Sequence, residues 1–469
     1  MSKESKLVKN TMIIAIGNIF TKCMSFFLLP MYTSLLTTKE YGVIDIISTY
    51  IAMFTILLTL QFEQALFRYL VETRNNKNQQ KKYISTSIWV IIFINIIFIV
   101  IFTPILIINN YEYTWELIIW VVLSCLYTLL IQIPRGLGNN IIYTIGNFIN
   151  GSLNIILNIL FLVIFKLKVE GMLYATILSL VVSIIYILNC ISIRKYTNIK
   201  NINKTCLHNL LKYAFPLVPY TLCWWIINVS DRWIINIFLG DSANGIYSIA
   251  CKFPLIFTTI IGIFQTAWTE SAAENFNTED KNEYYQNIVN KSIRFYSSMT
   301  IGIISCIPLL FSFFIKHNFI EAYNYIPFLM LGSLLHGISA IYGSIYFAYK
   351  KTKEVAWTAA ISAILNILIN LIFIKKIGLY AAVLSTLVSY FVAVIIRQKD
   401  IQKFTPILLN LKYLFIEAIV YIFIFICYYS QKTKIQIISL ILLVPYCIYQ
   451  NKEIFIIFIY KFFLKKRRS

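Results

Sequence analysis

The chain runs again and again for about 20 residues without a charged side chain, the length an α-helix needs to cross a hydrocarbon core about 30 Å thick. Ile84–Ile108 and Ile435–Ile448 contain no Asp, Glu, Lys or Arg at all. Inside lipid the backbone N–H and C=O groups have no water to bond, so only helices or a closed barrel can span it. Barrel strands alternate polar and apolar side chains, and these runs do not alternate. The fold class is therefore all-α and integral to a membrane. Such segments fall near 10–36, 42–70, 84–108, 114–133, 141–165 and 170–193. They continue near 210–239, 245–270, 293–315, 322–349, 354–374 and 378–396, and end with a pair near 405–429 and 435–450. This makes about fourteen transmembrane helices.

Of the 469 residues, 59% are hydrophobic, more than a water-soluble domain of this size can cover with polar side chains. A net charge of +21 would suggest nucleic acid for a soluble chain. Here the charge follows topology, and no nucleic-acid partner is expected. Lys and Arg gather in alternate loops, at Arg74, Lys77, Lys81 and Lys82, at Arg194, Lys195, Lys200 and Lys204, and at Lys350, Lys351 and Lys353. The loops between them are short and weakly charged. The positive-inside rule places the basic side, with both termini and the tail Lys465-Lys466-Arg467-Arg468, in the cytoplasm. Nine cysteines include no Cys-x-x-Cys pair, and most, such as Cys23 and Cys125, lie in apolar segments as small core residues. There is no phosphate-cradling glycine loop, and the three histidines, at 208, 317 and 336, have no metal-ligand spacing. No enzymatic centre, metal or cofactor is expected.

Two stretches echo one another. Leu153-Asn154-Ile155-Ile156-Leu157-Asn158 recurs as Leu365-Asn366-Ile367-Leu368-Ile369-Asn370, each with Asn at i and i+4. Downstream of each, Gly171 and Ala175, then Gly378 and Ala382, set small residues four apart, a spacing that lets helix backbones approach closely in lipid. Tyr41-Gly42-Val43 and Asn244-Gly245-Ile246 form a second echo. The expected organisation is a six-helix lobe over 1–198, a second over 199–400, and an extra helix pair with a basic tail over 401–469.

A charge at mid-bilayer costs several kcal/mol unless it faces a cavity or a partner, so the few charges inside the spans are the informative ones. They are Lys22, Glu63, Arg68, Lys212, Asp231, Arg232, Lys252, Lys412 and Glu417. Asn18 lies one turn from Lys22; Gln61, Gln64 and Arg68 follow a helical stripe with Glu63 beside it; Asn228 shares a face with Asp231 and Arg232. This pattern points to a solvated cationic cavity near the bilayer midplane, lined by Lys22, Arg68, Arg232, Lys252, Asn18 and Asn228 and suited to an anionic cargo. Glu63, Asp231 and Glu270 are the carboxylates that could couple ions. The plainer alternative is a set of interhelical salt bridges, with Arg68, Lys212 and Lys412 reaching to the head groups.

The run Ser230-Asp231-Arg232-Trp233-Ile234-Ile235 through Leu239-Gly240, then Gly245-Ile246-Tyr247-Ser248, Lys252, Pro254 and Trp268, resembles the second-half signature of Wzx-type oligosaccharide flippases. Arg135-Gly136-Leu137-Gly138, the Asn154 and Asn158 pair, and Gly171 to Thr176 are similar to the first half of the same pattern. The resemblance covers most of the chain to about residue 400 and implies the multidrug/oligosaccharidyl-lipid/polysaccharide exporter superfamily. It further implies two six-helix lobes in a V plus the C-terminal pair, working by alternating access. The implied cargo is an undecaprenyl-pyrophosphate oligosaccharide, carried from the inner to the outer leaflet of the bacterial cytoplasmic membrane. Membrane lipids, a polysaccharide polymerase and glycosyltransferases of the same pathway are the implied partners. By analogy with lipid II flippases, the span 405–450 would form a groove for the lipid tail. A drug or cation exporter, a lipid II flippase and a membrane-embedded polymerase are the competing readings; the first would favour an acidic cavity, and the last a large outer loop or a catalytic domain.

Overall fold

In the computed structural model the described residues run from 26 to 452. They form sixteen α-helices, with no strand among the described residues. The first eight are α1 Leu29–Leu35, α2 Thr38–Thr59, α3 Phe62–Glu72, α4 Lys77–Ile108, α5 Thr114–Gly136, α6 Asn140–Ile159, α7 Lys168–Ile191 and α8 Lys204–Ala214. The rest are α9 Leu217–Ala250, α10 Lys252–Glu274, α11 Lys281–Phe314, α12 Ile326–Ala348, α13 Thr352–Ile377, α14 Leu379–Ile401, α15 Leu411–Tyr429 and α16 Thr433–Gln450. Among the described residues 11 helices are long and apolar enough to cross a membrane, or 12 if the bent pair Val229–Ala250 and Lys252–Asn277 is one span. This agrees with an all-α membrane protein of about fourteen helices, because most of the first expected span lies outside the described residues.

The helices begin where the sequence offers caps. At α2, Thr37 Oγ1 accepts from the Glu40 amide at 3.2 Å while Glu40 Oε2 accepts from the Thr37 amide at 2.7 Å. This capping box satisfies two donors that the first helical turn leaves unpaired. The other Glu40 oxygen takes Lys168 Nζ at 2.8 Å, tying the start of α2 to the start of α7. The expected helix over 42–70 is in fact two. Leu60 (φ 50°) and Gln61 (φ 59°) both adopt the left-handed conformation and separate α2 from α3. The expected seventh helix near 210–239 is likewise α8 followed by the first part of α9, which is interrupted at Gly240 (φ 84°, ψ 178°). That backbone geometry is open essentially to glycine alone.

Two compact units emerge, one ending at Trp233 and the other starting at Ile234, inside α9. In the first unit α5 is central, packing on α2, α3, α4, α6 and α7. In the second α12 holds that place, packing on α10, α11, α13 and α14. Of the 11 candidate spans among the described residues, the two containing them are the most buried. Helices around them turn apolar side chains outward: Phe93, Ile96, Ile97, Val100 and Ile101 on α4 are all exposed, as are Ile419, Ile422 and Ile426 on α15. A soluble protein would hide such faces; lipid makes them the ordinary exterior.

The C-terminal pair is fastened to α11 by polar side chains. Glu417, buried on α15, accepts the hydroxyls of Ser297 and, at 2.7 Å, Tyr446. Asn451 donates to Ser298 Oγ at 2.8 Å. At the opposite end Tyr323 donates to the Tyr428 carbonyl at 3.0 Å, and Tyr428 returns a bond to the Tyr323 carbonyl at 2.9 Å.

The Arg135-Gly136-Leu137-Gly138 motif is a packing device. A Cβ on Gly136 would lie 2.6 Å from Leu70 Cβ, so only glycine lets the end of α5 meet α3. Arg135 spreads over the Phe67 ring at 4.4 Å, and Arg74 Nε donates to the Gly136 carbonyl at 3.0 Å. Gly136→Ala is expected to lower stability by about 1–3 kcal/mol through overpacking. Gly262→Ala on α10, with nothing within 4 Å of the added Cβ, is the matched control and should leave the thermal midpoint in detergent unchanged or slightly raised. Equal midpoints for the two variants would refute the close approach.

Candidate functional site

The break at Leu60 and Gln61 places two L-residues in a conformation that costs about 1–2 kcal/mol each, and it creates a helix N-terminus where the sequence suggests the middle of a span. Glu63 occupies the first turn of α3, where the aligned peptide dipoles favour negative charge. It is buried at 9% exposure, faces Thr59, and its Oε2 has no hydrogen-bond partner among the described residues. Gln64 and Arg68 lie on the exposed side of the same helix. Gln61, at the break, is buried, so the expected stripe of Gln61, Gln64 and Arg68 does not form. Arg68 Nε pairs with Glu72 at 3.1 Å and its guanidinium sits 5.2 Å above the Tyr213 ring.

Arg232 is held elsewhere. Its Nη1 donates to Asp45 Oδ1 of α2 at 3.0 Å, with Asp45 only 7% exposed and Arg232 25%. Asp231 and Ser230 beside it are buried. Asp45 lies inside the expected span 42–70, close to its start, and is absent from the in-span charges named from the sequence. The signal was its position two residues past Tyr41-Gly42-Val43. Lys252 opens α10, immediately after the point where the chain bends by 44°. Glu270 is exposed near the far end of α10. Lys22, Asn18 and the basic tail lie outside the described residues, as does the side chain of Asn228.

The repeated asparagines do come together within each unit. In the first, Asn154 Nδ2 donates to Thr176 Oγ1 at 3.0 Å, joining α6 to α7. In the second, Asn366 Nδ2 donates to Thr386 Oγ1 and Ser385 Oγ at 3.3 Å, joining α13 to α14. The second Asn of each pair, Asn158 and Asn370, is buried. A further deep cation, Arg397, was missed because the last helix of the second repeat extends to Ile401 rather than 396. Buried at 8% exposure, it donates to Ser339 O at 2.7 Å, Thr358 Oγ1 at 3.0 Å and Val355 O at 3.4 Å, linking α12, α13 and α14 through neutral acceptors.

With this geometry in place, comparison with known proteins is informative. Residues 7–269, more than half of the chain, match the family model described as polysaccharide biosynthesis protein. The chain belongs to the polysaccharide biosynthesis protein family. No curated protein sequence matches it. Among solved structures, this family member is similar to the lipid II flippase MurJ in an inward closed conformation, with a TM-score of 0.72 and 17% identity over 94% of this chain and 100% of that one. It is also similar to an inward-facing multidrug resistance transporter of the MATE family and MOP superfamily, with a TM-score of 0.69 and 14% identity over 83% and 98% of the two chains. A MOP superfamily transporter from Pyrococcus furiosus, described as having a binding pocket of reverse polarity, matches at a TM-score of 0.59 and 14% identity, over 84% and 96%. These likenesses establish a shared fold.

Removing one partner of the Asp45–Arg232 pair leaves a charge without its counterion. Asp45→Asn is expected to cost about 2 kcal/mol, below the roughly 3–5 kcal/mol of a fully buried pair because Arg232 keeps some exposure. The swapped double variant Asp45→Arg with Arg232→Asp should recover part of the loss. Thermal unfolding across the double-mutant cycle measures it, and strictly additive losses would show that the pair is not coupled.

Proposed function

We propose that this protein is a flippase that moves lipid-linked oligosaccharide from the inner to the outer leaflet of the bacterial cytoplasmic membrane, with both termini in the cytoplasm. The observation that carries this reading is the family match to polysaccharide biosynthesis on a chain whose described residues are built of membrane-spanning helices. A sugar chain crossing hydrocarbon unaided would strip water from many hydroxyls at a few kcal/mol each, so the step needs a protein-lined polar path. The fold shared with transporters of the MOP superfamily supports alternating access as the way that path opens to each side in turn.

The cargo is an undecaprenyl-pyrophosphate oligosaccharide, with Lys22, Arg232 and Lys252 attracting the pyrophosphate or acidic sugars and Asn18 and Asn228 serving hydroxyls. Arg68 belongs to the same set at its edge. Arg232 is charge-compensated by Asp45 at 3.0 Å, so an anionic head group would compete with that carboxylate for the guanidinium. Glu63, Asp231 and Glu270 are the candidates for ion coupling, and Glu63 is the best placed, as a buried carboxylate with one oxygen unbonded among the described residues. No covalent step is required. A polymerase and glycosyltransferases of the same pathway would hand over and receive the cargo.

The test is leaflet translocation of a fluorescent undecaprenyl-pyrophosphate oligosaccharide in proteoliposomes, with lipid II as a second probe. Lys22→Ala and Lys252→Ala, reconstituted in equal folded amounts, are each expected to slow the oligosaccharide by about tenfold or more, equivalent to about 1.4 kcal/mol. Native rates in both variants would remove these cations from the path. Transport of lipid II alone would make the protein a lipid II flippase, the activity named for one of its structural neighbours.

A further inference from the structure

The first unit holds a cavity of about 310 Å³ that none of the in-span candidates lines. It sits where α2 and α7 begin and where the chain enters α5, at the ends of α4, α5 and α7 remote from the basic loops around 74–82 and 194–204. The turn that forms one wall is tightly built. A π-helical turn over Leu160–Ile164 follows α6, and Lys166 (φ 55°) and Lys168 (φ 44°) then take the left-handed conformation that L-residues adopt only at a cost. Gly171 closes the turn: an added Cβ would lie 3.1 Å from both Leu167 Cβ and Phe161 Cβ.

Four charged side chains line the cavity, and two of them cancel. Glu40 Oε1 takes Lys168 Nζ at 2.8 Å, and the other Glu40 oxygen is occupied by the Thr37 amide at 2.7 Å. Lys166 and Glu170 are exposed, and neither forms an ion pair among the described residues. Tyr113 adds a hydroxyl to the lining, and the Glu112 carboxylate faces that hydroxyl from outside it. One ammonium and one carboxylate therefore stand open at a single cavity, and a ligand with one charge of each sign complements them.

The surface beside the cavity shows where the rest of such a ligand lies. Val163, Ile164 and Phe165, which lead into the turn, are 47%, 66% and 58% exposed, and Trp115, two residues past Tyr113, is 60% exposed. An apolar exterior that ends at a charged cavity, with Trp and Tyr at its edge, marks the boundary between acyl chains and head groups.

We propose that this cavity holds the head group of a zwitterionic phospholipid with a primary ammonium, its phosphate toward Lys166, its ammonium toward Glu170 and its acyl chains along Val163, Ile164 and Phe165. Lysine binds phosphate as a point charge, and a carboxylate takes charge-assisted hydrogen bonds from N–H groups. A trimethylammonium head group has no N–H to donate to Glu170. A glycerol head group brings the phosphate charge with no ammonium to meet the carboxylate. The site thus selects ethanolamine over choline by the bonds it makes, and over glycerol by the carboxylate left unmatched. This inference goes beyond the flippase reading and does not depend on it.

The experiment is native mass spectrometry of the full chain in detergent, titrated with phosphatidylethanolamine, phosphatidylcholine and phosphatidylglycerol of identical acyl chains. The first phosphatidylethanolamine is expected to bind about three- to tenfold more tightly than either other lipid. Glu170→Ala should lower phosphatidylethanolamine to the phosphatidylcholine level, and Lys166→Gln should weaken both of these lipids. Both side chains are exposed, so neither variant should disturb folding, and the thermal midpoint checks this. Equal affinity for the three lipids, or an ethanolamine preference that survives both variants, overturns the proposal. So does equally tight binding of soluble phosphoethanolamine, since the acyl chains would then contribute nothing. Translocation is not read here, so failure leaves the flippase reading intact.

Discussion

Hydrocarbon offers no hydrogen bonds, and the described helices are arranged around that fact. Helices satisfy the backbone, and the side chains sort themselves by the same rule. Isoleucine and phenylalanine face outward over α4 and α15, while Asn154, Asn366, Arg397 and Glu417 each find an acceptor or donor on a neighbouring helix. Helix association in lipid cannot draw on the hydrophobic effect, so these bonds and the close glycine contacts specify which helices meet. The buried centres of the two units, α5 and α12, are where the close contacts gather: Gly136 at the end of α5 meets Leu70, and Gly337 within α12 lies against Tyr296.

The architecture was largely legible because its signal is additive: each span contributes about 20 apolar residues, and loop charges repeat in phase with them. The internal echo was legible for a different reason. Asn154 and Asn366 are paired in the same way in both copies, so the repeat preserved a bond and not merely a composition. What could not be read was the local interruption of a span. Nothing in Thr59-Leu60-Gln61-Phe62 announces two consecutive left-handed residues, since neither is Gly or Asn; Thr59 and Phe62 on either side of the break are both buried. Past that interruption Glu63 is buried while Gln64 and Arg68 are exposed. Arg397 falls just past the expected end of its span, where a boundary error of a few residues decides whether a charge counts as inside the membrane, whereas Asp45 lies inside the expected span, near its start.

The candidate site illustrates how far a charge inventory reaches. Arg232, read from the sequence as a cavity cation with an interhelical salt bridge as the plainer alternative, meets Asp45 of α2. Arg68, by contrast, has its counterion one turn away on its own helix and an aromatic ring from α8, which is how a side chain near a membrane boundary settles its charge.

The fastening of the C-terminal pair limits what this chain can lose. Within the second unit Ser297, Ser298 and the Tyr323 carbonyl have Glu417, Asn451 and Tyr428 as hydrogen-bond partners. A lineage that dropped the last two helices would expose a line of unpaired hydroxyls and a carbonyl to acyl chains, and the shortened protein would carry a polar scar along α11. The pair is thus locked in by its own hydrogen bonds. Shedding it would require Ser297 and Ser298 to become apolar first, and each such step, taken while the pair is still present, would remove one of its bonds: the Ser297 donor to Glu417, or the Ser298 acceptor for Asn451.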